Sequence, residues 1–360
     1  MKKKVLLALM LVFVMCVFAA CGKDEDKKED TTTEATTAQT EKPTEEITEA
    51  TSEDASEVTT GTTGEATSED TQEADEEENY ETGDASLDNP RNDDNPAEKE
   101  ILVVSFGTSF NDSRRLDIGG IEAAIEKEFP DWTVRRAFTA QIIIDHVQRR
   151  DGEKIDNVQE ALDRAVASGV KVLAIQPTHL MHGYEYDELV EEVAKYADSF
   201  EKIIISEPLL TSDEDFENVA NIVAKETSAF DDGETAVCFM GHGTEHEANA
   251  VYTKMQETFE KLGYKNYFVG TVEAEPSFQD VIDKVTELGG YKKAVLRPLM
   301  VVAGDHANND MAGDEDDTWK TLFKNAGYEV ETDIQGLGRV ADIQAIYVAH
   351  LKTAIEANEE

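Results

Sequence analysis

The sequence predicts an α/β fold made of two similar lobes, each a four-stranded parallel sheet flanked by helices. Three observations support this prediction. Short apolar runs alternate with amphipathic stretches of helix length, which is typical of βα units with parallel strands. The order of these runs is repeated in the two halves of the region 99–360. In both halves, loops that contain glycine and histidine directly follow some of the apolar runs.

The first 20 residues are predicted to be a bacterial signal peptide. Three lysines at positions 2–4 precede an apolar stretch at 5–20, which is shorter than the roughly 20 residues that span a bilayer. The stretch ends in FAAC at 18–21, which resembles a lipobox, so we expect cleavage before Cys21 and lipid attachment to it. An ordinary secretory signal with an incidental cysteine is the alternative. The prediction is an extracytoplasmic protein that is lipid-anchored to the bacterial cell membrane.

A polar segment at 21–98 is predicted to be a disordered tether. It consists mainly of Thr, Glu, Asp, Ala and Ser, with 27 acidic residues against 5 basic ones between positions 22 and 98. Such a composition buries too little apolar surface to offset the entropy of ordering the chain. We favour a solvated spacer over a role in which its carboxylates collect metal ions.

Two lobes are predicted to follow, at 99–230 and 231–360. In the first lobe, strands are expected near 101–105, 133–137, 172–175 and 202–206. In the second lobe, they are expected near 236–240, 267–270, 294–296 and 329–332. Similar sequences recur in the two halves: VVSFGT at 103–108 parallels VCFMGH at 237–242, and KVLAIQP at 171–177 parallels KAVLRP at 293–298. This recurrence indicates an internal duplication.

Charge and cysteine content restrict the partners of the chain. The region 99–360 has 51 acidic residues against 25 basic ones, and the formal net charge of the whole chain is −45. So acidic a domain argues against binding to nucleic acid or to anionic lipid surfaces. Only Cys21 and Cys238 would remain after the predicted cleavage, so no framework of disulfides is expected.

Three residues of the second lobe are predicted to meet at one edge of its sheet: His242, Glu273 and His306. Each follows one of the first three strands of that lobe. Ligands bind outside the carboxyl ends of parallel strands, and a strand order of 2-1-3-4 makes these three strands neighbours about 5 Å apart. Two imidazoles and a carboxylate suit Co²⁺, Ni²⁺, Fe²⁺ or Zn²⁺, with positions open for a substrate.

Each of these residues also suits a structural role when it is considered alone. His242 fits a hydrogen-bonded loop position, Glu273 fits the first turn of a helix opened by Pro276, and His306 fits a partner for buried backbone. His246, four residues after His242, is expected just inside the following helix, as a second proton carrier or as polar surface. His179 occupies the equivalent loop of the first lobe and is a candidate for the same cleft.

Several motifs together resemble the anaerobic sirohydrochlorin cobaltochelatases of the CbiK type. The most specific are SFGTS at 105–109, RAFT at 136–139, MGHG at 240–243, VE at 272–273 and PLMVVAGDHA at 298–307. Further agreement lies in NDMA at 309–312, WK at 319–320, GLG at 336–338 and VAHL at 348–351. The resemblance covers nearly all of the region 99–357.

This resemblance implies the class II chelatase fold, with a tetrapyrrole cleft between the lobes and sirohydrochlorin as the substrate. It implies insertion of Co²⁺ without ATP or another nucleotide, with His242, Glu273 and His306 as the metal-binding and catalytic residues. A neutral imidazole near pH 7 accepts a pyrrole proton and binds such a cation. We expect His242 to be the principal base, Glu273 to offset the charge of the cation and Asp305 to orient His306.

Additional residues are weaker candidates for contacts with the substrate. They are Ser105, Thr108, Ser109, Arg114, Arg115 and His182. The three hydroxyl groups suit hydrogen bonds to macrocycle carboxylates and equally suit structural turns. The two arginines are the nearest cationic candidates for those carboxylates. His182 lies in the loop of the first lobe that is expected to face the cleft.

Two features leave a second hypothesis open. The predicted signal peptide places the domain outside the cytoplasm, where cobalamin synthesis does not occur, and LMHGYEY at 180–186 stands where an Asn-Gly-type turn is expected. The chain would then be a surface lipoprotein that binds a tetrapyrrole or a metal for uptake, with little turnover. A chelatase for Fe²⁺ or Ni²⁺ is a further alternative, and a homo-oligomer remains open.

Overall fold

The computed structural model describes residues 82–92 and 96–358, which all lie in one compact unit. The predicted signal peptide, Cys21 and most of the predicted tether lie outside the described residues. Within the described ranges, nine strands form two parallel sheets, one of five strands and one of four. In these ranges, helices long and apolar enough to span a membrane are absent.

The first sheet contains the four strands predicted from the sequence and one more. Its strands are β1 (Lys99–Ser105), β2 (Thr133–Phe138), β3 (Asp156–Asn157), β4 (Val172–Pro177) and β5 (Lys202–Ile205). They are parallel, in the order β3-β2-β1-β4-β5. The central strand β1 is buried from its second residue onward because helices cover both faces of the sheet.

The second sheet has the predicted strand order. Its strands are β6 (Thr235–Gly241), β7 (Tyr267–Thr271), β8 (Lys293–Pro298) and β9 (Glu329–Thr332). They run parallel in the order β7-β6-β8-β9, so the second strand of the lobe lies beside the first, and the third lies on the other side. The α/β architecture with two parallel sheets is therefore confirmed.

Helices occupy the intervals between the strands. They are α1 (Asn111–Ser113), α2 (Gly119–Glu128), α3 (Gln141–Asp151), α4 (Val158–Ala167), α5 (Tyr184–Ala194), α6 (Asp213–Glu226), α7 (Ala250–Leu262), α8 (Phe278–Leu288), α9 (Trp319–Asn325) and α10 (Ala341–Ala357). Two π-helical turns, Arg114–Ile118 and Ala307–Met311, lie at the carboxyl edges of the sheets. Such turns are rare and are frequently found at functional sites.

The last helix, α10, departs from the predicted lobe boundary. It packs on the first lobe, where the hydroxyl of Tyr347 donates hydrogen bonds to the carbonyl oxygens of Thr178 at 2.9 Å and His179 at 3.2 Å. Its buried side chains join an apolar core that also contains Ile101 and Phe239, one from each sheet. The amphipathic pattern predicts the helix but does not indicate which sheet it covers, so the boundary at 231–360 misplaces α10.

Residues 82–92 form an ordered arm rather than the predicted disordered tether. Asp88 pairs with Arg114 at 2.9 Å and with Arg136 at 2.6 Å, and Arg91 pairs with Glu122 at 3.0 Å. The tether prediction is wrong for this stretch because charge pairing with buried arginines, and not apolar burial, holds it. Burial disfavours the charged form of Asp88, but the hydrogen bonds and charges of the two arginines outweigh it and lower the pKa of the carboxyl group.

Candidate metal centre

Three side chains meet at the carboxyl edge of the second sheet. His242 follows β6 directly, Glu273 lies two residues after β7, and His306 ends the loop that follows β8. Because β6 lies between β7 and β8, the loops that contain these residues are neighbours. One possible ligand atom from each residue lies within 4.8 Å of the other two. This arrangement suits a cation held by two imidazoles and a carboxylate.

The geometry leaves the cluster accessible. Nδ1 of His242 lies 3.6 Å from a carboxylate oxygen of Glu273, and these side chains are 47% and 53% exposed. The rings of His242 and His306 stand edge to face, with centroids 4.6 Å apart and planes at 83°. Solvent, and with it a metal ion, can therefore reach His242 and Glu273.

The loop after β6 holds His242 through close packing around two glycines. A Cβ atom at Gly241 would lie 2.1 Å from the ring of Tyr252, so only glycine leaves room for that ring. Gly243 has a φ of +89°, a conformation that glycine adopts at little cost, and its amide donates to the Tyr252 hydroxyl at 3.4 Å. Nδ1 of His242 donates to the carbonyl oxygen of Gly243 at 2.8 Å, which leaves Nε2 with its lone pair.

Backbone hydrogen bonds join the loop of Glu273 to that of His242. The amide of Glu273 donates to the carbonyl oxygen of His242 at 2.9 Å, and the amide of Val272 donates to the carbonyl oxygen of Gly241 at 3.0 Å. Asn249 links the two loops, since it accepts from the amide of Thr244 at 3.1 Å and donates to the carbonyl of Glu275 at 2.6 Å. These hydrogen bonds hold the backbone of His242 and the backbone of Glu273 next to each other.

His306 is oriented by a carboxylate, although not by the one that the sequence suggested. Its Nδ1 donates to Oδ2 of Asp310 at 2.6 Å, across the π-helical turn that begins at Ala307. Asp305, the predicted partner, instead accepts from the side chain of Asn309 at 2.6 Å. The helical turn brings residue 310 under the ring of residue 306, whereas adjacent side chains point apart. Nε2 of His306 is thereby left for a metal ion.

The fold and this cluster are accompanied by a clear family match. The model of the cobalt chelatase family, CbiK, matches residues 99–356. The chain belongs to the cobalt chelatase (CbiK) family.

Two curated relatives extend this match over most of their own length. The sirohydrochlorin cobaltochelatase of Salmonella typhimurium is 37% identical over 257 residues, which is 71% of this chain and 96% of the relative. The sirohydrochlorin cobaltochelatase CbiKC of Nitratidesulfovibrio vulgaris is 28% identical over 264 residues, 73% of this chain and 92% of the relative. Among solved structures, SirB from Bacillus subtilis with Fe³⁺ aligns with a TM-score of 0.51 at 13% identity, covering 73% of this chain and 98% of SirB.

The loops of the two lobes touch beside the candidate metal site of this CbiK-family chain. Nε2 of His246 lies 3.5 Å from a carboxylate oxygen of Asp187 in α5, and the ring of Tyr184 stands edge-on to the imidazole with centroids 4.8 Å apart. The Nδ1 atom of His246 accepts from the amide of Ala248 at 3.1 Å, so the proton of the neutral ring is on Nε2 and points to Asp187. His246 thus connects the two lobes.

Most of the weaker substrate candidates are structural in this CbiK-family chain. The hydroxyl of Ser105 is buried and bonds that of Thr178 at 2.7 Å, and the buried hydroxyl of Thr108 accepts from the amide of Phe110 at 3.1 Å. Ser109 is buried too, and its carbonyl accepts from Arg150 at 2.6 Å. The hydroxyls of Ser105 and Thr108 already have partners inside the protein, and Ser109 is buried, so the structure does not support the predicted contacts of these three residues with substrate carboxylates.

The prediction that Arg114 contacts a substrate carboxylate is wrong. It is completely buried and pairs with Asp88, Asp151 and Glu153 at 2.9, 3.6 and 3.5 Å. The sequence could not indicate this because Asp88 was assigned to the tether. Arg115 pairs with Asp112 at 2.9 Å on a partly exposed surface.

His182 lies at the carboxyl edge of the first sheet, as predicted, and is 40% exposed. Its Nε2 lies 2.6 Å from a carboxylate oxygen of Glu207, and its ring packs edge-on against Tyr186. The hydrogen bond from His182 lowers the pKa of Glu207 and outweighs partial burial, which acts to raise it. His179 is different, because both of its ring nitrogens are shielded and lack a hydrogen bond within the described residues, and burial lowers its pKa to about 4.

Proposed function

We propose that this protein inserts Co²⁺ into sirohydrochlorin. The observation that carries the proposal is the convergence of His242, Glu273 and His306 within 4.8 Å on an exposed sheet edge. Membership of the cobalt chelatase family supports it, as does the name of both curated relatives, sirohydrochlorin cobaltochelatase. The SirB likeness supports only the fold.

The reaction exchanges protons for a metal ion. The free macrocycle gives up two inner N–H protons, Co²⁺ loses bound water, and the products are the cobalt macrocycle and two released protons. Nothing is oxidised or reduced, so the protein has to supply ligands, proton acceptors and orientation. Neutral imidazole serves as both ligand and acceptor near pH 7.

The hydrogen bonds support a different role for each of the three side chains in this proposal. His242 and His306 each donate from Nδ1 to a fixed acceptor, so Nε2 of each ring has the lone pair for metal or proton. Glu273 adds a negative charge next to His242, which offsets the cation and stabilises an imidazolium if the ring takes a pyrrole proton. We assign His242 as the principal base and His306 as the more firmly oriented ligand.

The first lobe supplies a surface that suits the face of a macrocycle. Large apolar side chains are exposed at the carboxyl edge of its sheet: Phe106 by 50% after β1, Ile142 by 76% after β2, and Tyr184 by 52% after β4. Tyr184 contacts His246 of the second lobe, which places this edge beside the metal cluster. Exposed aromatic and aliphatic groups favour stacking against a flat ring system.

The direct test is an insertion assay with the purified protein. Sirohydrochlorin and Co²⁺ are mixed without nucleotide, and the change in macrocycle absorption is compared with the uncatalysed rate. We expect acceleration that does not depend on ATP and that is greater for Co²⁺ than for Ni²⁺ or Fe²⁺. Tight binding of the macrocycle with no acceleration for any of the three metals would refute the enzyme and favour an uptake protein.

We further propose that Cys21 is lipidated and that the domain is held outside the cytoplasm. The support is the lysine-apolar-FAAC sequence at 2–21. Metabolic labelling with a clickable fatty acid should mark the wild-type chain in the membrane fraction. A Cys21→Ala chain that is labelled and fractionates like the wild type would contradict this proposal.

A further inference from the structure

Two side chains of the first lobe form hydrogen bonds to one residue of the second lobe, close to the candidate metal site. The hydroxyl of Ser113 donates to the carbonyl oxygen of Ala303 at 2.6 Å. The amide of Ala303 donates to Oδ2 of Asp117 at 2.9 Å. Ala303 stands three residues before His306, and 190 and 186 residues separate it in sequence from these two partners. We call Ser113 and Asp117 the Ala303 clamp.

The clamp satisfies backbone groups that would otherwise be buried without partners. Strand β8 ends at Pro298, so Ala303 lies beyond the sheet and has no strand partner for its amide or carbonyl. Ala303 and Asp117 are fully buried, and Ser113 is 8% exposed. An unpaired buried backbone group costs about as much as a lost hydrogen bond, so the loop has a strong preference for this one position.

Asp117 is itself fixed from the far side. Its Oδ1 accepts from Nε of Arg339 at 2.6 Å. Gly336 lies so close that a Cβ atom there would be 2.3 Å from Oδ2 of Asp117 and 2.6 Å from the carbonyl oxygen of Val301. The amides of Leu337 and Gly338 donate to the carbonyls of Met300 and Val301, each at 2.9 Å. The segment 300–303 is therefore held on both sides.

This fixed segment leads directly to a metal-binding side chain. Only Gly304 and Asp305 separate Ala303 from His306, so a shift of the Ala303 backbone displaces the imidazole by a similar distance. We propose that Ser113 and Asp117 are positioning residues for His306, and that contact between the lobes thereby completes the metal site. This inference rests on the proposed function, since it treats His306 as a cobalt ligand.

Cobalt itself is a suitable probe, because its visible absorption depends on the number and placement of its ligands. We would titrate the full-length chain with Co²⁺ alone and compare wild type, Ser113→Ala, Ser113→Thr and Asp117→Asn. We expect Ser113→Ala and Asp117→Asn to weaken Co²⁺ binding about 10-fold and to alter the spectrum, as loss of an orienting partner does at other metal sites. Ser113→Thr keeps the hydroxyl and should restore wild-type values.

A matched control separates positioning from general loss of stability. Thr258 also uses a buried hydroxyl to donate to a backbone carbonyl, that of Lys254 at 2.7 Å, but in α7. Thr258→Val should leave Co²⁺ affinity and spectrum unchanged even if it lowers the melting temperature as much as Ser113→Ala does. Should Asp117→Asn fail to fold, Ser113→Ala still decides the question.

A double-mutant cycle gives the sharpest outcome. If Ser113 acts through His306, Ser113→Ala should weaken Co²⁺ binding in the wild-type background and have no further effect in a His306→Ala background. Equal weakening in both backgrounds, or none in either, overturns the clamp proposal while leaving the chelatase proposal intact. If His306→Ala alone leaves Co²⁺ affinity and insertion unchanged, the chelatase assignment of His306 is what fails.

Discussion

The carboxylate of Asp310 accepts a hydrogen bond of 2.6 Å from Nδ1 of His306. This bond fixes the tautomer of the imidazole and the direction of Nε2, and the carboxylate makes the ring a better ligand. His306 directly precedes the π-helical segment Ala307–Met311, and Asp310 lies within it, four residues after His306. The candidate site of His242, Glu273 and His306 thus depends on a fourth residue, Asp310, for the orientation of one of its imidazoles.

Replacement of Asp310 should therefore weaken cobalt binding. We expect Asp310→Ala to raise the dissociation constant for Co²⁺ by roughly 10- to 100-fold, and Asp310→Asn to raise it less because the amide oxygen still accepts from Nδ1. Titration followed by visible absorption measures both. Asp305→Ala is the control, and an effect of Asp305→Ala as large as that of Asp310→Ala would show that we have chosen the wrong carboxylate.

A methyl group at Gly241 should damage the site through Tyr252. The Cβ atom of Gly241→Ala would overlap the ring at 2.1 Å, so the ring or the strand end must move. We expect a loss of about 1–3 kcal/mol in the free energy of unfolding and a lower insertion rate, because His242 follows at once. Gly119→Ala is the matched control, since its Cβ meets neighbours at 3.5 Å or more and φ is −59°. Urea denaturation that ranks the two variants equally would contradict the steric argument.

Asp88 should make the arm at 82–92 a stabilising part of the fold. Its side chain is 1% exposed and pairs with two fully buried arginines. Asp88→Asn should therefore lower the free energy of unfolding by about 3 kcal/mol at pH 7. Because the folded-state pKa is lowered, the contribution is present above the ordinary pKa of an aspartate and is lost as pH falls through the lower folded value. Denaturation should thus show a large difference in the free energy of unfolding between wild type and Asp88→Asn at pH 7, and a smaller difference at pH 3. Exposed Asp84 provides the control. If Asp84→Asn lowers the free energy of unfolding as much as Asp88→Asn does, the buried pairing is contradicted.

His179 should make the protein sensitive to mild acid. Burial lowers its pKa to about 4, so between the ordinary value of 6.5 and 4 the unfolded chain binds a proton that the folded chain does not. Stability should therefore fall as pH drops across this window, by roughly 1–3 kcal/mol for this one group. His179→Phe lacks the proton site and should lose less stability than wild type between pH 7 and pH 4.5. Parallel losses in the two proteins would contradict the assigned pKa.

The sequence was sufficient for features that depend on local pattern. Apolar runs predicted the strands, and the order of the strands placed His242, Glu273 and His306 beside one another. The two-residue strand Asp156–Asn157 has no apolar run and was missed. Partners far apart in sequence could not be predicted either, since nothing local links Asp88 to Arg114 or Asp117 to Ala303. Asp310 was within reach, because a spacing of four residues after a histidine places a carboxylate on the same helical face.

The rate of Co²⁺ insertion into sirohydrochlorin by wild type, His242→Ala and His306→Ala tests the central claim most directly. It is followed through macrocycle absorption, with Co²⁺ affinity measured on the same samples. We predict clear acceleration by the wild type, a loss of at least about 100-fold for each variant and weaker Co²⁺ binding by both. Full insertion rates and unchanged Co²⁺ affinity in both variants would contradict the account.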